Sequence, residues 1–225
     1  VIRDTHSPRA PLSVSDIIKY SSSIGAVKIA RALGKERLYQ GLVRFGFGQK
    51  TGIDLPGERS GLLRPPSTWA ETDFATASYG YGLTATPLQI AQGMAAIANG
   101  GTLYRPSIVE RVTSAEGETL AANRVRGQRV LGPDSARAMA QMLMTVLQED
   151  GTASTLNLGG FAAAGKTGTA RKVDPGTKQY SSERHLASFA GFAPADAPRL
   201  VIVVMIDEPS GEIHAGGEVA GPAFA

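Results

Sequence analysis

Gly165-Lys166-Thr167-Gly168-Thr169 lies inside a longer run, Phe161 to Arg171, that reads as a β-strand, and two further strand-like runs follow it, His185 to Phe192 and Leu200 to Ile206. Turn-rich segments separate them, Asp174-Pro175-Gly176 and residues 194–198. Neither connection carries a helical period, so the three strands are expected to be antiparallel neighbours.

Upstream of this stretch the pattern changes from strand to helix. Ser13 is placed to cap a short helix running to Tyr20, with Asp16 three positions on to hold the free amides. A second helix is expected from Ile24 to Leu33, ended by Gly34. A third is expected from Glu36 to Phe45, with Leu38, Leu42 and Phe45 on one side and Gly46 as its stop. Residues 46–83 are rich in Gly, Pro and Thr and read as long ordered loops. Thr86-Pro87-Leu88-Gln89 then opens a helix whose apolar face holds Ile90, Ala91, Met94, Ile97 and Ala98, ended by Asn99-Gly100-Gly101. A last helix follows Gly132-Pro133, with Met139, Met142, Leu143, Val146 and Leu147 inward and Gly151 as its stop. Helices first and then a strand meander covered by them make the expected class α+β, with an antiparallel sheet covered by helices.

Composition excludes several functions. The 225 residues are 42% hydrophobic, enough for a sizeable core, and contain no cysteine, which removes disulfides and thiolate zinc sites. A formal net charge of +3 is too weak to indicate nucleic acid, where a clustered basic footprint is expected. The nearest approach is Arg124, Arg126 and Arg129, interleaved with Val125 and Val130, which reads as a solvated strand face. His6, His185 and His214 share no ligand-like spacing, so no metal site is expected. No apolar run reaches the ~18 residues of a membrane span. The chain opens without Met and stops at Pro222-Ala223-Phe224-Ala225, and is expected to be part of something longer.

Chemistry concentrates in two places. The segment 165–169 puts an ammonium, two hydroxyls and two glycines on one strand. Alternation sends Lys166 and Gly168 to one face and Thr167 and Thr169 to the other. Gly168 leaves room for a ligand backbone against the strand edge; the plainer reading is an exposed hairpin strand. The second place is Tyr20-Ser21-Ser22-Ser23-Ile24-Gly25, three hydroxyls at a helix–helix junction, which alone reads as a double cap. A nucleotide site competes for the first. Gly160 to Thr167 satisfies the phosphate-loop pattern, and Leu200 to Glu208 resembles an apolar strand with a magnesium-holding acidic end, Asp207-Glu208. A phosphate loop, however, must open a helix, because the helix N-terminus completes the anion site. Gly168, Pro175 and Gly176 oppose one here.

Taken together, the two segments resemble the second and third motifs of penicillin-binding proteins and serine β-lactamases. The chain is similar to the class B penicillin-binding proteins, which crosslink peptidoglycan, and the similarity runs along essentially all of it. Lys19 to Ala30 resembles the segment of the second motif. Phe45-Gly46-Phe47-Gly48 followed by Thr51-Gly52-Ile53-Asp54-Leu55-Pro56-Gly57-Glu58 resembles the mid-domain signature. Tyr79-Gly80-Tyr81-Gly82, Thr86-Pro87-Leu88-Gln89 and Ala96 to Gly101 match the stretch before the long helix. The resemblance implies one unit over residues 1–225, the C-terminal part of a transpeptidase domain with the fold of that family.

Two departures stand out. No Ser-x-x-Lys occurs: the residues three before the seven lysines are Asp16, Gly25, Ala32, Phe47, Ala163, Thr169 and Pro175, and Thr169-Ala170-Arg171-Lys172, the nearest imitation, overlaps the third motif. The nucleophilic serine is therefore expected upstream, and this chain alone is expected to be inactive. Ser23 stands where the second motif carries Asn, and a hydroxyl cannot span the gap an amide spans.

For the parent, the resemblance implies a serine acyl-transferase acting on the D-Ala-D-Ala end of peptidoglycan stem peptides, with β-lactam antibiotics as suicide substrates. Ser21 would relay a proton toward the leaving nitrogen, with Ser23 beside it, and Lys166 would keep that relay polarised and steer the substrate carboxylate. Thr167, Gly168 and Thr169 would bind that carboxylate and supply one oxyanion donor, the Thr169 amide. No cofactor and no metal are implied. The location would be periplasmic or otherwise extracytoplasmic, the parent anchored to the cytoplasmic membrane, with other cell-wall synthesis proteins as partners. A β-lactam sensor domain and a non-catalytic peptidoglycan-binding relative are the alternatives, the second favoured by Ser23.

Overall fold

The computed structural model describes residues 2–4, 11–123 and 126–225. Its centre is a three-stranded antiparallel sheet of β5 (Ala164–Val173), β6 (Tyr180–Ala193) and β7 (Leu200–Asp207), in that order. The meander expected from the last third is present, although β6 begins five residues earlier than its apolar run and β5 three residues later. Alternation sorts the sheet into two faces. Ala164, Lys166 and Gly168 share one with Phe192, Ala190 and Ser188, while Thr167 and Thr169 share the other with Phe189 and Ala187.

Each face has its own cover. Phe192 and Ala164 pack with Met94 of α5 (Pro87–Ala98) and Leu143 of α6 (Pro133–Thr145). Phe189 packs with Ala220 and with Phe224 of α8 (Gly221–Phe224), its ring 4.6 Å from the Phe224 ring. Both phenylalanines of the sheet are wholly buried. Burying such rings contributes about 1.5–3 kcal/mol each. No chain segment could place them on opposite sides without the register that also puts Lys166 and the two threonines on opposite sides. In α6 the residue packed on the core is Met144 rather than the expected Met142.

The helices before the sheet begin where their caps dictate. α1 (Val14–Lys19) starts with a complete capping box, Asp16 N donating to Ser13 Oγ and Ser13 N to Asp16 Oδ2. α2 (Ser23–Leu33) and α3 (Lys35–Arg44) meet at Gly34, whose φ of 88° suits glycine. Leu38, Tyr39 and Leu42 of α3 pack on a separate apolar cluster built from Ala30, Trp69, Phe74 and Ala77. That cluster explains the main departure from expectation: residues 46–83 are not loop throughout but contain a short 3-10 turn at Pro66–Thr68 and a helix, α4 (Glu71–Ala77). Two small sheets were also not expected. β1 (Thr102–Tyr104) pairs with β4 (Gly127–Arg129), and β2 (Arg111–Thr113) pairs with β3 (Thr119–Ala122). A final short helix, α7 (Gly216–Val219), lies against β5 and β6.

Of the arginines read as a solvated strand face, Arg129 lies in β4 and is tied by its guanidinium to the Gly100 and Leu131 carbonyls, and Arg126 precedes β4. Arg124 and Val125 lie outside the described residues, as does His6.

Candidate active site

Lys166 is directed toward the helices by its place on the α5–α6 face of β5. There it meets the junction between α1 and α2. Its ammonium donates to Ser21 Oγ at 2.7 Å, to the Thr167 carbonyl at 3.1 Å and to Thr167 Oγ1 at 3.4 Å. Three donors thus find three neutral acceptors, and among the described residues no carboxylate lies within ion-pair distance. Burial lowers the pKa of this ammonium from the ordinary lysine value to about 8.

Ser21 is itself held in an unusual conformation. Its φ of 56° is in the left-handed region, where a residue with a Cβ is strained by about 1–2 kcal/mol. The strain is imposed from both sides. Ser21 and Ser22 donate their amides back to Ile18 and Ile17 at the end of α1, and Ser22 caps α2 by accepting from Gly25 N at 2.9 Å. Ser22 is buried, and its hydroxyl donates at 2.7 Å to Asp4, whose second oxygen accepts from Ile24 N at 3.0 Å. Two capped helices therefore squeeze one residue between them and point its hydroxyl at Lys166. Ser23, the third hydroxyl of the run, is the first residue of α2, is half-buried, and makes no side-chain hydrogen bond among the described residues.

The two threonines leave the strand on the opposite face, although the Lys166 ammonium reaches round the strand edge to within 3.4 Å of Thr167 Oγ1. Thr167 Oγ1 lies 2.9 Å from Thr152 Oγ1, and Thr169 Oγ1 accepts from Gly216 N at 2.9 Å. Accepting that bond leaves the Thr169 hydroxyl proton free to donate elsewhere. Gly168 faces Ser188 across the strand pair, where any β-carbon would crowd the Ser188 hydroxyl. At the far end Tyr81 closes the strand edge: its hydroxyl accepts from Arg171 N at 3.0 Å, and its ring meets Tyr180 edge-on at 5.0 Å. Since Arg171 N points away from β6, strand alternation points the amides of Thr169 and Thr167 the same way, to the open edge.

Two rival readings end here. β5 continues as strand through Val173, so no helix opens after Lys166 as a phosphate loop would require. Asp207 and Glu208 are engaged by cations, Lys172 bridging both at 2.8 and 2.5 Å and Arg184 reaching Glu208 at 2.6 Å. Arg184 first and Lys172 next hold the Glu208 carboxyl down to about 2. His185 and His214 do come together, stacked 4.4 Å apart with rings 13° from parallel. Parallel rings direct their in-plane lone pairs alongside one another rather than at one point, which does not suit a shared ion.

The family model for the penicillin binding protein transpeptidase domain matches residues 2–225. The chain belongs to that family. Among curated relatives of this family, penicillin-binding protein PbpB of Mycolicibacterium smegmatis is 36% identical over 221 residues, covering 95% of this chain and 34% of its own length. Peptidoglycan D,D-transpeptidase FtsI of Escherichia coli is 35% identical over 213 residues, covering 95% of this chain and 34% of its own length. The crystal structure of Mycobacterium tuberculosis penicillin binding protein 3 complexed with aztreonam superposes with a TM-score of 0.87 at 35% identity, over 92% of this chain and 48% of that one. The chain thus spans about a third of the length of these two curated relatives, and is a partial transpeptidase domain with the family's mixed helix and antiparallel-sheet fold.

Sequence reading singled out Lys166, Thr167, Gly168, Thr169, Ser21 and Ser23. Geometry brings Lys166 to Ser21 and leaves Ser23 without a bond to either. It also adds residues with no motif to announce them. Asp4, Ser22 and Thr152 act through contacts 18 and 15 positions away in sequence, and Tyr81 through one 90 positions away. Earlier signals existed for two of them: the Tyr79-Gly80-Tyr81-Gly82 pattern for Tyr81, and for Ser22 the serine run read as a double cap.

Proposed function

We propose that this chain supplies the proton-relay and carboxylate-binding half of a serine D,D-transpeptidase site, the acylated serine coming from an upstream Ser-x-x-Lys segment of the parent. The observation that carries the reading is the 2.7 Å contact between Lys166 Nζ and Ser21 Oγ. In acyl transfer the amide nitrogen must gain a proton as it leaves. Ser21 can hand over its own and be reprotonated through the Lys166 ammonium, which a pKa near 8 makes a readier donor than an ordinary lysine.

The substrate would lie along the open edge of β5. There the Thr169 amide is free to donate to a developing oxyanion, and the serine nucleophile's own amide would be the second donor. The Thr167 and Thr169 hydroxyls, backed by the Lys166 charge, would hold the terminal carboxylate of a D-Ala-D-Ala stem peptide or of a β-lactam. That relatives such as FtsI of Escherichia coli are peptidoglycan D,D-transpeptidases supports crosslinking over sensing. An extracytoplasmic setting, a membrane-anchored parent and cell-wall synthesis partners follow from the same reading. Among the described residues no helix is long and apolar enough to cross a membrane.

Fluorescent penicillin tests the proposal. The isolated chain is expected to take no covalent label, while the parent carrying the upstream serine labels. A denaturation-stable adduct on the isolated chain would place a nucleophile within it and overturn the division of labour.

A further inference from the structure

A second concave region is built entirely from other elements. An open cleft of about 290 Å³ lies between the end of α3, the segment after it, α5 and the β1–β4 pair. Four cations line it, Arg44, Lys50, Arg105 and Arg126, and no carboxylate does. Among the described residues none of the four is in an ion pair. Two acids close to Lys50 in sequence are committed elsewhere: Asp54 accepts from Ser107 Oγ, Ile108 N and Val109 N, and Glu58 accepts from Thr51 N at 2.6 Å and Gly52 N at 3.1 Å and offsets at most the charge of Lys50. Gln49, Gln92 and Gln128 add neutral amides to the wall.

The arrangement of two of these cations is costly as it stands. β1 and β4 pair Tyr104 with Gly127, so the next residues outward, Arg105 and Arg126, lie directly opposite, joined by Arg105 N donating to Arg126 O at 3.1 Å. Like charges directly opposite on antiparallel strands destabilise the pair. Arg105 is also positioned: its Nε donates to the Gly52 carbonyl, and its terminal guanidinium nitrogens make no hydrogen bond among the described residues. Arg129, three residues after Arg126 and within β4, shows what a structural arginine does here, since its guanidinium caps two carbonyls. Arg44, Lys50 and Arg126 make no side-chain hydrogen bond among the described residues. Guanidinium forks and an ammonium converging on one cleft, with amides between them, are the donor set for an anion with several oxygens.

We propose that this cleft binds a multiply charged phosphate-class anion, either free or as the headgroup of an anionic lipid. Binding relieves the Arg105–Arg126 repulsion, so the anion stabilises the folded chain.

Calorimetric titration of the 225-residue chain with inorganic pyrophosphate at low salt tests it. Saturable one-to-one binding is expected, with a rise in Tm, weakening as salt is added. The Arg44→Gln/Arg126→Gln double variant should bind at least tenfold more weakly while unfolding at the same or a higher temperature than wild type. Arg31→Gln, which breaks an exposed pair with Glu71 elsewhere, should bind as wild type does. A second arm uses vesicles of phosphatidylglycerol against pure phosphatidylcholine. Cosedimentation with the first that the double variant loses identifies a headgroup. Pyrophosphate binding without it identifies a free anion. Absence of saturable binding to either probe, or binding that the double variant retains, overturns the proposal.

Discussion

The backbone amide of Gly216 donates to the hydroxyl of Thr169 at 2.9 Å, and the same glycine lies flat against the backbone of β5 and β6. A β-carbon there would overlap the carbonyl oxygens of Gly168 and Ser188. These are sheet atoms that cannot rotate aside. Gly216→Ala is therefore expected to destabilise the chain by about 1–3 kcal/mol and to displace Thr169. Urea denaturation reads the first effect, and a midpoint equal to wild type would show that α7 is not seated on the strand in this way.

Gln89 is a second structural commitment. It is fully buried at the start of α5, its side-chain oxygen accepting from Thr86 N and its amide donating to the carbonyls of Gly46, Gln49 and Ser60. Gln89→Leu keeps the bulk but strands these groups without partners. A loss of about 2–4 kcal/mol is expected from the desolvation cost of orphaned buried polar groups. Chemical denaturation showing a loss below 0.5 kcal/mol, about the level of ordinary surface substitutions, would contradict the network.

How much of this was legible beforehand follows the physics of each element. Ser13 with Asp16, and Thr86-Pro87 with Gln89, are local cap chemistry, and they mark their helices within a residue or so. The strands of the central sheet were legible from their apolar runs and turn residues. α4 was not, because Glu71-Thr72-Asp73-Phe74-Ala75-Thr76-Ala77 shows no stripe longer than two turns. What makes it a helix is Phe74 stacking on Trp69, with ring centroids 6.5 Å apart. β1 to β4 are three or four residues each and mostly exposed, so no alternation marks them. α7 and α8 are glycine-rich and have low intrinsic propensity; they form where Gly217 and Gly221 fit against Thr152 and Leu156. Lys166 and Ser21 could be nominated from motifs, but the buried cap through Ser22 and Asp4 that fixes Ser21 is tertiary.

Burial of Lys166 has a pH signature. A lysine whose folded pKa is lowered to about 8 binds fewer protons folded than unfolded between about 8 and the model-peptide value of 10.5. Stability should therefore rise with pH across that window, by at most about 3 kcal/mol, and Lys166→Met should remove the rise. NMR titration of the Lys166 side chain should give a midpoint near 8. A midpoint above 10 would mean that the ammonium is solvated and the site open.

Ser23 tests whether the departure from the second motif impairs the site. It makes no side-chain bond among the described residues, so Ser23→Asn in the parent should leave penicillin acylation unchanged or faster. A drop of tenfold, about 1.4 kcal/mol of barrier, would make the serine the working choice and count toward a specialised variant of the site.

The account rests most heavily on Ser21 and Lys166 acting as one unit across 145 positions of sequence. Acylation kinetics of the parent with labelled penicillin, for Ser21→Ala, Lys166→Ala and the double variant, test that directly. Residues acting as a unit lose their contribution once. Each single variant should slow acylation at least about 100-fold, within the range of one proton-transfer group, and the double variant should be little slower than the worse single. Additive losses, or a Ser21→Ala protein that acylates at the wild-type rate, would contradict the relay.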